Sequence, residues 1–297
     1  MPSLCYYDGK FAPYDGATVS GHDRGFNFGD GVYEVIRVYG GVAHALEAHL
    51  ARLERSARGI EMDLGHTLAE YTELVYELVR RSGMTECMIY GQVSRGAMER
   101  DHFYHDHIKP SDFWFVRALD THKIRTKIQD GYNLITLEDT RWAHCDIKSL
   151  SLLANVIAKN KARKAGAQEA MFFRAENRLV TEGGASNLYA VKDGAIYTAP
   201  KGNKILPGII REYIVMLAQS LNIPLIEQEM PVEFFMKADE VVASSSTMEI
   251  MPVRRIDGQP LARHHEKGHG PVFQQIFDAF LDDVASVCGM KLAVANG

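Results

Sequence analysis

The stretch CDIKSLSLLANVIAKNKARKAGAQEAMFFRAENRLVTEGGASNLYAV, residues 145–191, decides how this chain is read. It sets Lys148 just ahead of a predicted helix and Glu182 in a glycine-rich strand end. Leu152, Leu153, Val156 and Ile157 recur at helical spacing and form one apolar stripe. Ser149 is the candidate N-cap. Lys159, Lys161, Arg163 and Lys164 crowd the last turns, where the helix dipole favours cations, and Gly166 suits the left-handed residue that ends a helix. The strand EAMFF follows, then a turn at Glu176–Arg178. Asp193-Gly194 marks a hairpin inside LYAVKDGAIYTAP.

A lysine at the mouth of a sheet is either a solvated surface charge or a Schiff-base lysine with a carbonyl partner. The segment TEGGASN bears on that choice. Glu182 is followed by Gly183, Gly184 and Ala185, so the backbone there can approach a flat ligand closely. A carboxylate paired with a pyridinium nitrogen is what a pyridoxal phosphate site requires.

The 297 residues permit one large or two ordinary domains. Hydrophobic content of 46% and charged content of 24% are those of a soluble globular protein, and a net charge of −5 gives no reason to expect nucleic acid or an anionic membrane as partner. The N-terminus lacks the basic and apolar regions of a signal peptide, and no apolar run is long enough to span a bilayer. Cys5, Cys87, Cys145 and Cys288 are far apart and read as reduced thiols of a cytoplasmic protein.

The segment GHDRGFNFGDGVYEVIRVYGG alternates glycines with aromatics and runs into a strand. Tyr33, Val35 and Arg37 share one face of it; Glu34, Ile36 and Val38 share the other. A helix over Ala45–Gly59 carries Arg52 at the edge of its apolar stripe, and a second runs from Thr67 to Ser82. The loop AMERDHFYHDHIKPSD is rich in ionisable groups. Its His102, His105 and His107 lack a helical i,i+4 pair, so no metal is expected. Arg100 and His102 lie two residues apart, on one face of an extended segment, and suit joint binding of a carboxylate. Residues 120–129 carry no apolar period and read as a linker between an N-terminal domain, 1–119, and a C-terminal domain, 130–297. In the latter, Pro207-Gly208 leads into a helix whose first amides, Ile209 and Ile210, offer an anion site. The hydroxyls of Ser244 to Thr247 at a strand end are turn formers or a second phosphate cradle. A last helix over Pro271–Ser286 has Val272, Phe273, Ile276, Phe277, Phe280 and Leu281 as its buried face.

The motifs DRGFNFGDGVYEV, RWAHCDIKSLSLL, VTEGGASN and SSSTMEIMPV, in that order and spacing, resemble those of the fold type IV pyridoxal-phosphate-dependent aminotransferases, most closely their D-amino acid branch. The resemblance covers nearly all of residues 3–285. It implies an α+β fold with a small N-terminal domain and a larger, β-barrel-like C-terminal domain with helices, assembled as a homodimer. It implies an enzyme moving an amino group between a D-amino acid, such as D-alanine or D-glutamate, and a 2-oxo acid, with pyridoxal 5'-phosphate as cofactor. Lys148 would be the catalytic lysine and Glu182 the partner of the pyridine nitrogen. Arg52, the Ile209 and Ile210 amides, Ser245 and Ser246 would hold the phosphate, and Arg141 would lie near the cofactor's phenolic oxygen. Tyr33, Arg100 and His102 would bind the substrate carboxylate. The chain departs from the pattern at Ile210, where a threonine is usual, and at Gly184 and Ala185, where that branch often has serines. The alternatives are a branched-chain L-amino acid or (R)-amine aminotransferase, or an aminodeoxychorismate lyase, of the same fold. A cofactor-binding protein without catalysis, or an unrelated α/β binding module, is the reading of another class.

Overall fold

The computed structural model describes residues 4–261 and 269–289. Residues 290–297, the end of the expected C-terminal domain, lie outside the described residues, as do 262–268. The chain divides into two compact units, the first taking the described residues up to Asp120, Ile147–Leu152 and the last described residues from Val287.

The first unit is built on a six-stranded antiparallel sheet. Its strands are β1 (Leu4–Tyr7), β2 (Lys10–Ala12), β3 (Gly31–Tyr39), β4 (Val42–Ala43), β5 (Cys87–Ser94) and β6 (Ser111–Ala118), in the order β2-β1-β6-β5-β3-β4. A short helix, α1 (Arg24–Phe28), precedes β3. It is capped by Asp23, which accepts from the Phe26 amide, and stopped by Gly29 in the left-handed region. Helices α2 (Leu46–Gly59) and α3 (Leu68–Ser82) pack onto the sheet. Thr67 and Glu70 close a capping box at the start of α3. Ile36 and Val38 of β3, Ile89 of β5 and Trp114 of β6 meet Leu50 and Leu53 of α2 and Tyr71 and Leu78 of α3 in one core. Each fully buried leucine there contributes about 1.5–3 kcal/mol.

On its outer side β4 pairs only with Val38 and Tyr39, so the start of β3 has an open edge. Residues 147–152 fill it. The Tyr33 amide donates to the Lys148 carbonyl at 3.0 Å, and the Leu150 amide donates to the Gly31 carbonyl at 2.9 Å. Ser149 forms an antiparallel bridge with Val32. This corrects two expectations. Ser149 is not an N-cap, because the helix starts at Leu153. Lys148 belongs to the first unit and not to a 130–297 domain, because these backbone bonds tie Ile147–Leu152 to β3.

The second unit takes Thr121–Asp146 and the described residues of Leu153–Ser286. The expected linker is a helix, α4 (Thr121–Asp130), with Ile128 buried. The other helices are α5 (Leu153–Lys164), α6 (Ile209–Ser220), α7 (Val232–Met236) and α8 (Pro271–Cys288). The mixed sheet holds β7 (Tyr132–Glu138), β8 (Glu169–Phe173), β9 (Val180–Gly183), β10 (Asn187–Lys192), β11 (Ala195–Thr198), β12 (Leu225–Glu227), β13 (Glu240–Ser245) and β14 (Glu249–Ile256). They run in the order β12-β11-β10-β13-β14-β7-β8-β9, with β15 (Gln259–Pro260) paired to β14.

That order forces the sheet to curl. β9 and β10 stand five places apart in the ladder, yet only Gly184, Ala185 and Ser186 join them. Laid flat, five strand spacings cover about 24 Å. The chain from Gly183 to Asn187 reaches about 14 Å at most. Rolling the sheet toward a barrel brings the two strands together, and the Gly183 amide donates to the Ser186 carbonyl at 2.7 Å.

The apolar stripe of α5 is where it was expected but faces outward: Leu153 is 73% exposed, Val156 53% and Ile157 47%. The helix instead buries Ala158 and Ala162, and Ala158 packs on Ala170 and Phe172 of β8.

Candidate active site

In the first unit Lys148 is half-buried, on a main chain bonded at both ends: its amide donates to Ser56 Oγ at 3.1 Å and its carbonyl accepts from Tyr33. Its Nζ stands 4.1 Å from the centroid of the Tyr33 ring. The sequence places Tyr33 on one face of β3 and Glu34 on the other, and α2 receives Glu34. Arg52 Nε and Nη2 donate to the two Glu34 oxygens at 2.7 and 2.9 Å, and His49 Nδ1 lies 2.7 Å from Glu34 Oε2. All three are buried. Burial alone would raise the Glu34 carboxyl, yet Arg52 and His49 hold it well below the usual carboxylate range. Burial lowers His49 despite Glu34, and the nearby charges of Arg52 and Lys148 act the same way. Arg52, of ambiguous role from its sequence position, is thus a buried cation held by a buried acid.

Arg100 and His102 are both exposed and both lean on one ring. The Arg100 guanidinium is 4.8 Å from the Phe28 centroid, and the His102 ring 5.6 Å. The two-residue spacing on an irregular loop puts them on a common side.

In the second unit Glu182 ends β9, buried to 4% exposure. Its Oε1 accepts from Arg141 Nη1 at 2.6 Å. Its Oε2 accepts from Asn187 Nδ2 at 3.1 Å and from the Leu206 amide at 3.0 Å. Burial pushes the Glu182 carboxyl up to about 7, and Arg141 and the Leu206 amide only partly offset it. Arg141 also forks onto Asp139, with Nε and Nη2 each 2.9 Å from a carboxylate oxygen, and lies 4.7 Å above the Phe172 ring.

Asn187 connects this acid to the two anion-binding candidates. It faces Ser244 in the β10–β13 ladder, one residue before Ser245. Its Oδ1 also fills the space a side chain at Gly208 would need, at the N-cap of α6. No side chain caps α6, which leaves the Ile209 and Ile210 amides available, while both isoleucine side chains are buried in the core. Ile210 therefore offers its N–H and nothing more. Ser245, the last residue of β13, and Ser246, the first of the turn to β14, are half-buried. Glu249 closes that turn at φ 61° and is held by Arg125 Nε and Nη2, each at 3.1 Å.

The departure at Gly184 has a steric reason. A Cβ there would lie 2.8 Å from Glu169 Oε1. That carboxylate is fixed by the Ala170 amide at 2.9 Å, by Ser186 Oγ at 3.3 Å and by Lys159 Nζ at 3.3 Å.

Sequence reasoning missed Glu34, His49, Asp139 and Asn187. Two of them left a signal. Glu34 shares the strand face of Ile36 and Val38, where a charge needs a buried partner. His49 precedes Arg52 by three residues on the same helix, so both can reach one acid.

Comparison with known proteins bears on this arrangement. The sequence profile of the family described as Amino-transferase class IV matches residues 31–256. A D-alanine aminotransferase of Staphylococcus haemolyticus is 42% identical over 93% of this chain and 95% of its own length. Among solved structures, the branched-chain amino acid aminotransferase of Escherichia coli is 25% identical with a TM-score of 0.87, over 95% of this chain and 94% of that one. The branched-chain aminotransferase of the thermophilic archaeon Thermoproteus uzoniensis, solved with norvaline, is 27% identical, with a TM-score of 0.85 over 98% and 96% of the two chains.

Proposed function

The chain belongs to the class IV aminotransferases, and from that premise we propose that it moves the amino group of a D-amino acid, of the D-alanine or D-glutamate type, to a 2-oxo acid such as 2-oxoglutarate or pyruvate, with pyridoxal 5'-phosphate as cofactor. The observation that carries this reading is the 42% identity, over 93% of the chain, to a D-alanine aminotransferase. The convergence of Arg100 and His102 on Phe28 supports the carboxylate end of it.

The residues present suit the cofactor. Glu182 is a buried acid whose Asn187 and Leu206 contacts fix its orientation, as a pyridine nitrogen requires. The uncapped start of α6 and the Ser245–Ser246 turn are two sets of donors for a phosphate. Arg52 is fixed by Glu34, which suits a third phosphate contact. Lys148 presents its amine beside an aromatic face from a bonded main chain.

Pyridoxal phosphate, when bound, supplies an electron sink for the carbanion formed at the substrate Cα. The protein orients and moves protons. Lys148 Nζ removes the Cα proton and redelivers it, with Tyr33 restricting where the amine can swing. Glu182 would face the ring nitrogen and balance its charge, with Arg141 and Asn187 holding the carboxylate in place. Arg100 and His102, with Tyr33, bind the substrate carboxylate. Transfer in two half-reactions, donor in and oxo acid out before the acceptor binds, should give ping-pong kinetics.

The outward apolar face of α5, Leu153, Val156 and Ile157, supports a homodimer, since an exposed apolar stripe on one helix is a surface that association would cover. Val156→Lys should move the mass seen by light scattering from twice the chain toward one chain; an unchanged dimer would remove this face from the interface. The four free, buried cysteines support a reducing, cytoplasmic setting. No helix of the described residues is long and apolar enough to cross a membrane.

Arg100→Ala tests the substrate class. A charge-assisted hydrogen bond contributes about 1.5–3 kcal/mol, so kcat/KM for D-alanine and D-glutamate should fall roughly 10–100-fold. An equal fall for an amine without a carboxylate would make the arginine structural. Faster turnover of L-leucine than of any D-amino acid by the unmutated enzyme would replace this reading with the branched-chain one.

A further inference from the structure

We propose that Arg24 is the positioning residue of the loop that displays Arg100 and His102, an inference that rests on reading that pair as a carboxylate clamp. The loop has no helix or strand from Met98 to Pro110, so its own backbone does not fix where the two side chains emerge. Arg24 supplies the missing constraint. It is 4% exposed and sits at the first residue of α1. Its Nη1 donates to the Asp101 carbonyl at 2.7 Å and to the Phe103 carbonyl at 3.2 Å, and its Nη2 to the His102 carbonyl at 3.3 Å. Three successive carbonyls, starting one residue after Arg100, thus end on one guanidinium.

The guanidinium is itself anchored. Its Nε donates to Asp30 Oδ2 at 2.7 Å, and Arg95 Nε reaches the same oxygen at 2.9 Å. Arg95 in turn donates to the Ile60 and Glu61 carbonyls at 2.7 and 2.8 Å and lies 3.7 Å from the Tyr104 centroid. Arg24 also stands 4.9 Å from the Phe28 ring on which Arg100 and His102 rest. Only arginine has the planar set of five donors that can serve one carboxylate and three carbonyls at once; a lysine keeps the charge and loses the fork. Arg24 therefore acts on recognition without touching substrate.

The test uses the holoenzyme with propionate, a carboxylate that carries no amine, as competitive inhibitor. Arg24→Lys, Arg100→Ala and the double variant are compared, with cofactor content followed by absorbance. Arg24→Lys should raise the propionate inhibition constant about tenfold, the scale of one lost charge-assisted hydrogen bond. The D-alanine dissociation constant in the half-reaction should rise alongside, with the maximal half-reaction rate and the cofactor content unchanged. The double variant should lose less than the two single losses added, because part of what Arg24 does is done through Arg100. If Arg100→Ala weakens propionate and Arg24→Lys does not, or if the two losses add, the positioning role is wrong and the clamp stands. If neither variant weakens propionate, the clamp fails and the role of Arg24 fails with it. Should Arg24→Lys not fold, Asp30→Asn removes the charge that anchors the Arg24 Nε without emptying its space; the same direction of change is expected, and unchanged propionate binding overturns the inference.

Discussion

Lys148→Ala is expected to abolish steady-state transamination while the protein still folds and retains cofactor. Positioned proton transfer contributes roughly 10²–10⁴-fold on its own, and the proposed role of the amine as the cofactor's covalent anchor adds to it, so the loss should reach the upper end of that range or pass it. The fold should survive because what secures this segment is main chain: the Lys148 amide on Ser56, its carbonyl on Tyr33, and the Leu150 amide on Gly31. Alanine keeps all three. Cofactor held by the α6 amides and the Ser245–Ser246 turn should stay with the protein through gel filtration and remain visible by absorbance. Near-normal turnover in the absence of added amines would sink the assignment of Lys148.

Glu182→Gln is expected to slow the half-reaction roughly 10–100-fold, since an amide keeps the hydrogen-bonding shape but cannot balance a pyridinium charge. A stopped-flow rate equal to that of the unmutated enzyme would reduce Glu182 to a strand-end residue. The same variant should show a pH signature in the protein stripped of cofactor. The Glu182 carboxyl is raised from 4.5 to about 7 by burial. Between those values the folded chain binds a proton that the unfolded chain does not. Its contribution to stability is therefore complete below about pH 4.5 and is lost as pH rises through about 7. By pH 8 the buried charge opposes folding by up to about 3 kcal/mol. Denaturant titrations at pH 5 and pH 8 should show stability falling between them, with a smaller fall in Glu182→Gln. An identical fall in both would mean that other groups cause it.

The parts of this protein that were legible in its sequence are those that local periodicity determines. The two-residue alternation of VYEVIRVY separates Tyr33 from Glu34. The stripes of α2, α3 and α8 predict their buried faces, and Asp193-Gly194 marks a turn that takes positive φ at both residues. Periodicity does not say what an apolar face meets. The stripe of α5 looks like that of any core helix, yet it is Ala158 that packs on β8, while Leu153, Val156 and Ile157 are exposed. Residues 121–130 form a helix with a single buried side chain, too weak a pattern to separate from a linker. The hidden half of the site depends on partners distant in the chain. Glu34 meets Arg52 across 18 residues, Arg141 meets Glu182 across 41 and Arg24 meets Asp101 across 77, and no spacing rule within one element reaches that far.

The segment that carries Lys148 also governs how this chain can be divided. A cut at Asp120 follows the boundary between units but leaves residues 147–152 on the wrong side of it. A fragment ending there would present the Gly31 carbonyl and the Tyr33 amide as a bare edge, and an unpaired strand edge is a template for another chain. The segment proposed to carry the chemistry therefore doubles as the guard against edge-to-edge self-association of the first sheet. Shortening or stiffening the connections on either side of it, 139–146 and the start of α5, would act on the solubility of the whole protein as directly as on its chemistry.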